Sequence, residues 1–273
     1  MPLSERQLAA FADKHAGQIP FDTSPRHLAG SGDARHVTHG LAAAGWSVVS
    51  DPLSAEIVLR SPDLRHRLQF DPQSATSAWW RLRAEPTDAE PGWYAEFGEL
   101  VPAEILVHVT DALVSPQPRE QPHLLDALTA AGWKLSAHNA AQSPDAMCHI
   151  ERRHTDSRDT ASWHIETREP GYGHPVGPRI WHAWFDSNTP DHLVTAFATG
   201  LADPAPLQRG MYDRTAHYNA VQEPSPLRPQ QVVDAHTARI ESLRARARSA
   251  RRQQTKPAPT PAKAHTAQPT ARR

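Results

Sequence analysis

The stretch His36–Trp46, HVTHGLAAAGW, returns as His123–Trp133, HLLDALTAAGW. Each copy reads as the end of a helix closed by Gly, with Trp opening the next segment. A repeat at fixed offset constrains a fold more than any local propensity does. One unit must be built twice, and its apolar faces must be buried by the pairing. The match runs on past the block. Leu128, Ala130, Ala131, Gly132 and Trp133 follow Leu41, Ala43, Ala44, Gly45 and Trp46 at an offset of 87. Trp181, Ala183 and Phe185 follow Trp93, Ala95 and Phe97 at an offset of 88. Pro190, Leu201 and Pro204 follow Pro102, Leu113 and Pro116 at the same 88. Trp163 matches Trp80, so six of the eight Trp fall into three pairs.

Periodicity gives the content of each unit. Arg35–Ala44 and Pro102–Val114 carry apolar residues at helical spacing. Between them WSVVS, EIVLR, RHRLQF, WWRLR and WYAEF alternate and end at Pro or Gly, as half-buried strands do. The expected fold class is α+β: a tandem duplication of a helix, four to five antiparallel strands and a helix, the copies pairing pseudo-symmetrically. The expected segments are an N-terminal helix (1–22, opened by the capping box Ser4-Glu5-Arg6-Gln7), repeat 1 (24–116) and repeat 2 (119–206). A linker (207–229), a basic helix (230–253) and a disordered tail (254–273) follow. In the helix, Val233, His236, Ile240, Leu243, Ala247 and Ala250 recur at three- and four-residue steps, like a short coiled-coil seam.

Alternation also assigns faces. Trp80, Leu82, Trp93, Ala95 and Phe97, with Trp163, Ile165, Trp181, Ala183 and Phe185, belong on the core face. These Trp pairs argue for packing.

Charge is neutral in sum and uneven in place. The net charge is -1, yet Arg239–Arg273 holds ten basic residues against Glu241 alone, so the rest of the chain is acidic by ten. This is a basic arm on an acidic body. Cys148 is the sole cysteine, which excludes an intrachain disulfide. MPLSERQLAAFADK has no signal-peptide pattern, and no apolar run approaches a spanning helix of about 18 residues. A cytoplasmic protein without membrane contact is expected.

The blocks SPRHLAGSGDARHVT, LAAAGW, DPLS and WWRLRAEPTDAEPGWYAEFGELVPAEILVHVTDAL resemble the actinobacterial domain-of-unknown-function family 317, common in Streptomyces. The resemblance covers residues 24–116 and, more weakly, 119–205, where SPRHLAG is missing and GWYAEFG reads IWHAWFD. It implies two tandem copies and brings no activity or functional residue with it.

Candidate chemistry must come from the residues themselves. Outward positions of repeat 1 gather Arg60, Arg65, Arg67, Trp79, Arg81, Arg83 and Tyr94: cations for phosphates and rings for bases. Arg244, Arg246, Arg248, Arg251 and Arg252 supply a second basic surface on the C-terminal helix. The expected function is a non-enzymatic binding or adaptor protein that contacts DNA or RNA through these residues. One alternative is a protein-interaction module using 230–253 to oligomerise or dock a partner. A further alternative is an enzyme with a site between the repeats, near His164 and His182. Cys148 with His149, His154, His164 and His182 matches no zinc spacing. No catalytic motif is present, and no metal or cofactor is expected.

Overall fold

The computed structural model describes residues 3–115, 123–136, 139–155, 160–171 and 176–254. The chain begins with α1 (Glu5–Ala16), β1 (Pro20–Ser24) and a short 3₁₀ turn at Arg26–Leu28. The first unit is α2 (Arg35–Ala43), β2 (Ser47–Val48), β3 (Ile57–Arg60), β4 (His66–Phe70), β5 (Ala78–Ala84), β6 (Trp93–Gly98) and α3 (Ala103–Val114). The second is α4 (Leu124–Ala130), β7 (Lys134–Ser136), β8 (Ala140–Gln142), β9 (Cys148–Thr155), β10 (Thr160–Arg168), β11 (Arg179–Phe185) and α5 (Asp191–Ala202). Then come β12 (Leu207–Gly210), β13 (Val221–Pro224) and α6 (Pro229–Gln254). The fold is α+β, and both units have the same order of helix, strands and helix.

The repeated AAGW block is a helix stop. Gly45 and Gly132 hold φ of +98° and +82°, the left-handed region open to glycine. Trp46 N–H donates to the Leu41 carbonyl and Trp133 N–H to that of Leu128, each at 3.0 Å. This six-to-one bond terminates each helix and turns the chain into the sheet. Both Trp are buried.

The units join edge to edge. One ten-stranded antiparallel sheet runs β2-β3-β4-β5-β6-β11-β10-β9-β8-β7. Its order is a palindrome of the duplication. At the join Phe97 pairs with Ala183, Phe185 with Ala95, and Glu96 with Trp184. The first two pairs exchange under the 88-residue offset, so a pseudo-twofold axis passes through Glu96 and Trp184. The helices α2, α3, α4 and α5 cover one face, and α3 packs on α5 above the join. There the Phe97, Phe185 and Phe197 rings stand 5.3–5.6 Å apart. One continuous core spans both units, and every residue assigned to the core face from alternation is buried.

Two expectations change. The stretch 207–229 contains β12 and β13, which flank β1 in a three-stranded sheet. Strand β1 also takes up Pro20–Ser24, where a helix end and a loop were expected. Clusters of Pro, Asn and Ser concealed short strands whose partner β1 lies at the other end of the chain, as in the pairs Pro20–Gly210 and Phe21–Pro224. The tail beyond Gln254 and the junction at 116–122 lie outside the described residues.

The seam of α6 is filled by the chain itself. Ile240 and Leu243 are buried with Leu3 and Ala43. His236 stacks on Phe11 at 3.9 Å, and its Nε2 meets His39 Nδ1 at 3.2 Å. Arg239 donates to both oxygens of Asp111 at 3.0 and 2.5 Å, and to the His36 carbonyl. These contacts bury the seam from Val233 to Leu243, while Ala250 at its end is exposed.

Phe97→Ala opens a cavity at the join shared by both units, costing about 3–5 kcal/mol. Near- and far-ultraviolet circular dichroism should therefore lose both units in one lowered thermal transition; separate transitions would contradict a single core. Burial, then the charges of His36 and the neighbouring His39 and Arg239, push His236 down to about 3, with Asp33 opposing. Burial, then Arg35, pushes His39 to about 4. Each is neutral when folded, so its contribution is complete above the unfolded value near 6.5 and is lost as pH falls toward the folded value. From pH 7.5 to 5.5, wild type should lose about 1.4 kcal/mol more stability than His236→Phe, measured by urea unfolding. An equal loss would contradict the assignment.

Candidate functional site

Among the described residues the helices pack on one face of the large sheet, and the opposite face carries the exposed or partly exposed side chains of Arg60, Arg67, Arg81, Arg83, Tyr94, Glu96, Trp184 and His164. Antiparallel register sets its rows. One row reads Arg60, Arg67, Arg83 and Tyr94 across β3, β4, β5 and β6. Paired residues sit on the same face at about 4.5–5.5 Å between Cβ atoms, so three guanidinium stems stand side by side; Asp186, which accepts from Tyr94 N at 2.8 Å, lies beyond Tyr94 at the far end of the row. Arg67 Nε is buried and has no hydrogen-bond partner, and the same holds for Arg65 Nε.

The neighbouring row is Gln69, Arg81, Glu96, Trp184, His164 and Glu151, and it crosses the repeat join. Arg81 Nη2 donates to Ser74 Oγ at 3.1 Å and to Thr76 Oγ1 at 2.7 Å. Glu96 accepts from Tyr94 OH at 3.1 Å and lies 3.3 Å from His182 Nε2. The His182 bond, set against burial, holds the Glu96 carboxyl below its ordinary value. Burial, with Glu96 adjacent, pushes the Tyr94 phenol up to about 12. The Trp184 ring lies 5.7 Å from that of Tyr94 and 6.4 Å from that of His164. An aromatic strip therefore begins where the arginine ladder ends.

Internal ion pairs draw off part of the charge. Arg65 meets Glu90 at 2.5 Å, and Arg83 meets Glu85 at 3.4 Å. The second pair is about half exposed on both sides, and such pairs hold weakly. The face can bind anions through its cations and flat rings through its aromatics.

Arg60, Arg65, Arg67, Arg81, Arg83 and Tyr94 are brought together on this face. Trp79 is not cleanly among them. A bulge between Ala78 and Trp80 shifts the register, and Trp79 packs at the core edge, 6.3 Å from the Phe70 ring. The helix arginines stand elsewhere. Because α6 packs on α1 and α2, it lies beyond the helical layer, across the sheet from the open face. Arg244 donates to the Leu3 carbonyl at 2.8 Å. Arg251 reaches Gly45, while Arg246, Arg248 and Arg252 are exposed.

His164 and His182 do share a cleft of about 310 Å³ with Glu96 and Glu166 at the join. There His182 Nε2 lies 3.3 Å from Glu96, His164 Nε2 lies 3.0 Å from Ser162 Oγ, and the buried His182 Nδ1 has no partner. Cys148 is buried on the core face, its thiol pushed up to about 12 by burial. Among the described residues no group of three or more His, Cys, Asp or Glu could hold a metal ion, and no helix is long and apolar enough to cross a membrane.

Two features escaped the sequence reading. Trp184 had a signal: with Trp79 it is one of two Trp outside the three repeat pairs. The other is a buried polar cluster around Asp33 and His36, drawn from five distant segments, which no local pattern marks.

The comparisons with known proteins bear on the duplication. No curated protein and no solved structure matches the chain. A family model described as "SPDY: Domain of unknown function (DUF317)" matches it twice, over residues 60–119 and 142–207, in keeping with two tandem copies of that domain.

Proposed function

We propose that the chain is a cytoplasmic, non-enzymatic binding protein that holds single-stranded nucleic acid, RNA or DNA, on the open face of the large sheet. The observation that carries this reading is the ladder Arg60–Arg67–Arg83. Like charges directly opposite one another destabilise a sheet, and the ion pair made by the three among the described residues is the half-exposed Arg83–Glu85 contact. A phosphate chain would relieve them, releasing counterions as it binds. Tyr94 and Trp184 then offer stacking faces beside the ladder, the usual partner of a basic track in single-strand recognition. A broad sheet presents no helix or ribbon for a duplex groove, which favours unpaired bases. The exposed arginines of α6 face another direction, so they add long-range attraction without extending the same track. The partner-docking alternative finds less support, because the α6 seam from Val233 to Leu243 is buried within the chain.

The test is fluorescence anisotropy with labelled uridine and thymidine oligonucleotides across a salt series. Arg67→Glu with Arg83→Glu should weaken binding more than tenfold. It should also flatten the salt dependence by about 1.4 in log–log slope, from about 0.7 per lost phosphate contact. Trp184→Ala should weaken binding while leaving that slope unchanged. Absence of binding to either oligonucleotide at low salt sinks the proposal.

A further inference from the structure

A second site lies on the other side of the molecule, where α1, the three-stranded sheet and the first half of α6 enclose a cavity of about 310 Å³. That is about ten waters' share of liquid volume, enough for one small organic molecule. Its walls are apolar, from Leu207 on β12 and from Leu227, Pro229, Val232 and Ala235 at the start of α6. Its floor is polar and is built by the cluster around the head of α2.

The hydrogen-bonding capacity of that floor decides what fits. Asp33 accepts from Arg35 N, from Arg35 Nη2 at 2.6 Å and from Lys14 Nζ at 3.0 Å, and lies 3.3 Å from His15 Nε2. Burial works to raise its pKa, but these bonds outweigh burial and hold it well below the ordinary carboxylate range. Glu104 accepts from Arg209 Nη1 at 2.6 Å and Nη2 at 3.1 Å. Arg209 spends its remaining donors on the carbonyls of Ala29, Gly30 and Gln208. Asp33, buried, and Glu104, partly buried, are therefore committed to internal cations, and Asp213, the third carboxylate of the lining, accepts from Gly210 N at 2.7 Å.

The donors are in surplus. Lys14 is 44% exposed, and Asp33 engages one of its three N–H groups. Arg239 uses one N–H from each terminal nitrogen, on the His36 carbonyl and on Asp111. Both cations stand at the α2 end of the cavity, since one meets Asp33 and the other the backbone of His36. The His236 ring lines the same end, and its Nδ1 is buried with no partner in the chain. A ligand that brought a second donor-rich or cationic head would find no free acceptor among these carboxylates. One that brought acceptor oxygens would find ammonium, guanidinium and imidazole.

We propose that this cavity binds a small organic acid, its carboxylate toward Lys14 and Arg239 and its apolar body against Leu207, Leu227 and Val232. The division of labour is that of small-molecule sites, apolar walls with a few convergent polar groups. The proposal is independent of the sheet face: a chain unable to bind nucleic acid could still bind the acid, and the reverse.

The experiment uses the full chain, with benzoate as probe and benzyl alcohol as its uncharged counterpart of similar body. Titration calorimetry and thermal shift should register benzoate, with benzyl alcohol at least tenfold weaker. Lys14→Met should weaken benzoate about tenfold, leaving the unliganded melting temperature near wild type because Lys14 is half exposed. Ala235→Trp, at an exposed position on the wall of the cavity, should fill it and abolish binding without unfolding the helix. Failure of benzoate to bind at millimolar concentration overturns the proposal. So does equal binding of benzyl alcohol, or unchanged benzoate affinity in Ala235→Trp protein that melts like wild type.

Discussion

The pairing of β6 with β11 is the contact on which the rest depends. Either unit alone would leave β6 or β11 as an unpaired edge beside a strip of large apolar side chains. Joined, the two sheets become one, and the Phe97, Phe185 and Phe197 rings close a core that neither unit fills alone. Aromatic groups at 5.3–5.6 Å add edge-to-face and offset contacts to the burial of their area. The same pairing leaves a single open face wide enough for an extended ligand. Fold and candidate interface thus have one origin.

A second layer rests on the first. Helix α6 seats on α1 and α2 through a small apolar cluster and a group of imidazoles around Phe11. The ring-to-ring hydrogen bond between His39 and His236 requires at least one of the two to be uncharged, and burial pushes both below their ordinary values. The basic arm is therefore held partly by imidazoles kept neutral and partly by the Arg239–Asp111 ion pair, so its attachment depends on proton activity. The three-stranded sheet completes this layer and forms one wall of the cavity beneath α6.

Much of this was legible in the chain. The 87- and 88-residue offsets, the Gly-Trp stops and the alternation of Trp80, Leu82, Trp93, Ala95 and Phe97 are local signals, each with a local physical cause. Face assignment followed from parity alone, and it placed six of the seven sheet-face candidates correctly. Trp79 failed because one bulged residue reverses parity, and nothing in WWRLR announces it. The strands β12 and β13 failed because their stability comes from β1, not from their own composition. The polar cluster at Asp33 was invisible for the same reason: Lys14, Asp33, Glu104, Arg209 and Arg239 acquire meaning only when the fold collects them. The α6 seam was read correctly as apolar, but a sequence cannot say whether such a stripe meets a stranger or its own chain.

The pseudo-twofold axis through Glu96 and Trp184 has a consequence for how the open face can be specialised. In an assembly of two identical units, the residue on the axis meets its own copy. Glutamate there would face glutamate, and like charges directly opposite are unfavourable. Any change would appear twice, once on each side. Covalent linkage of the copies removes that constraint. One side of the axis can carry an acid and the other an indole; Tyr94 can answer to His182, and an arginine ladder can exist on one half without its mirror image on the other. The tandem arrangement converts a surface that symmetry would force to be non-directional into one with two distinguishable ends, so an extended ligand laid across it has a reason to run one way.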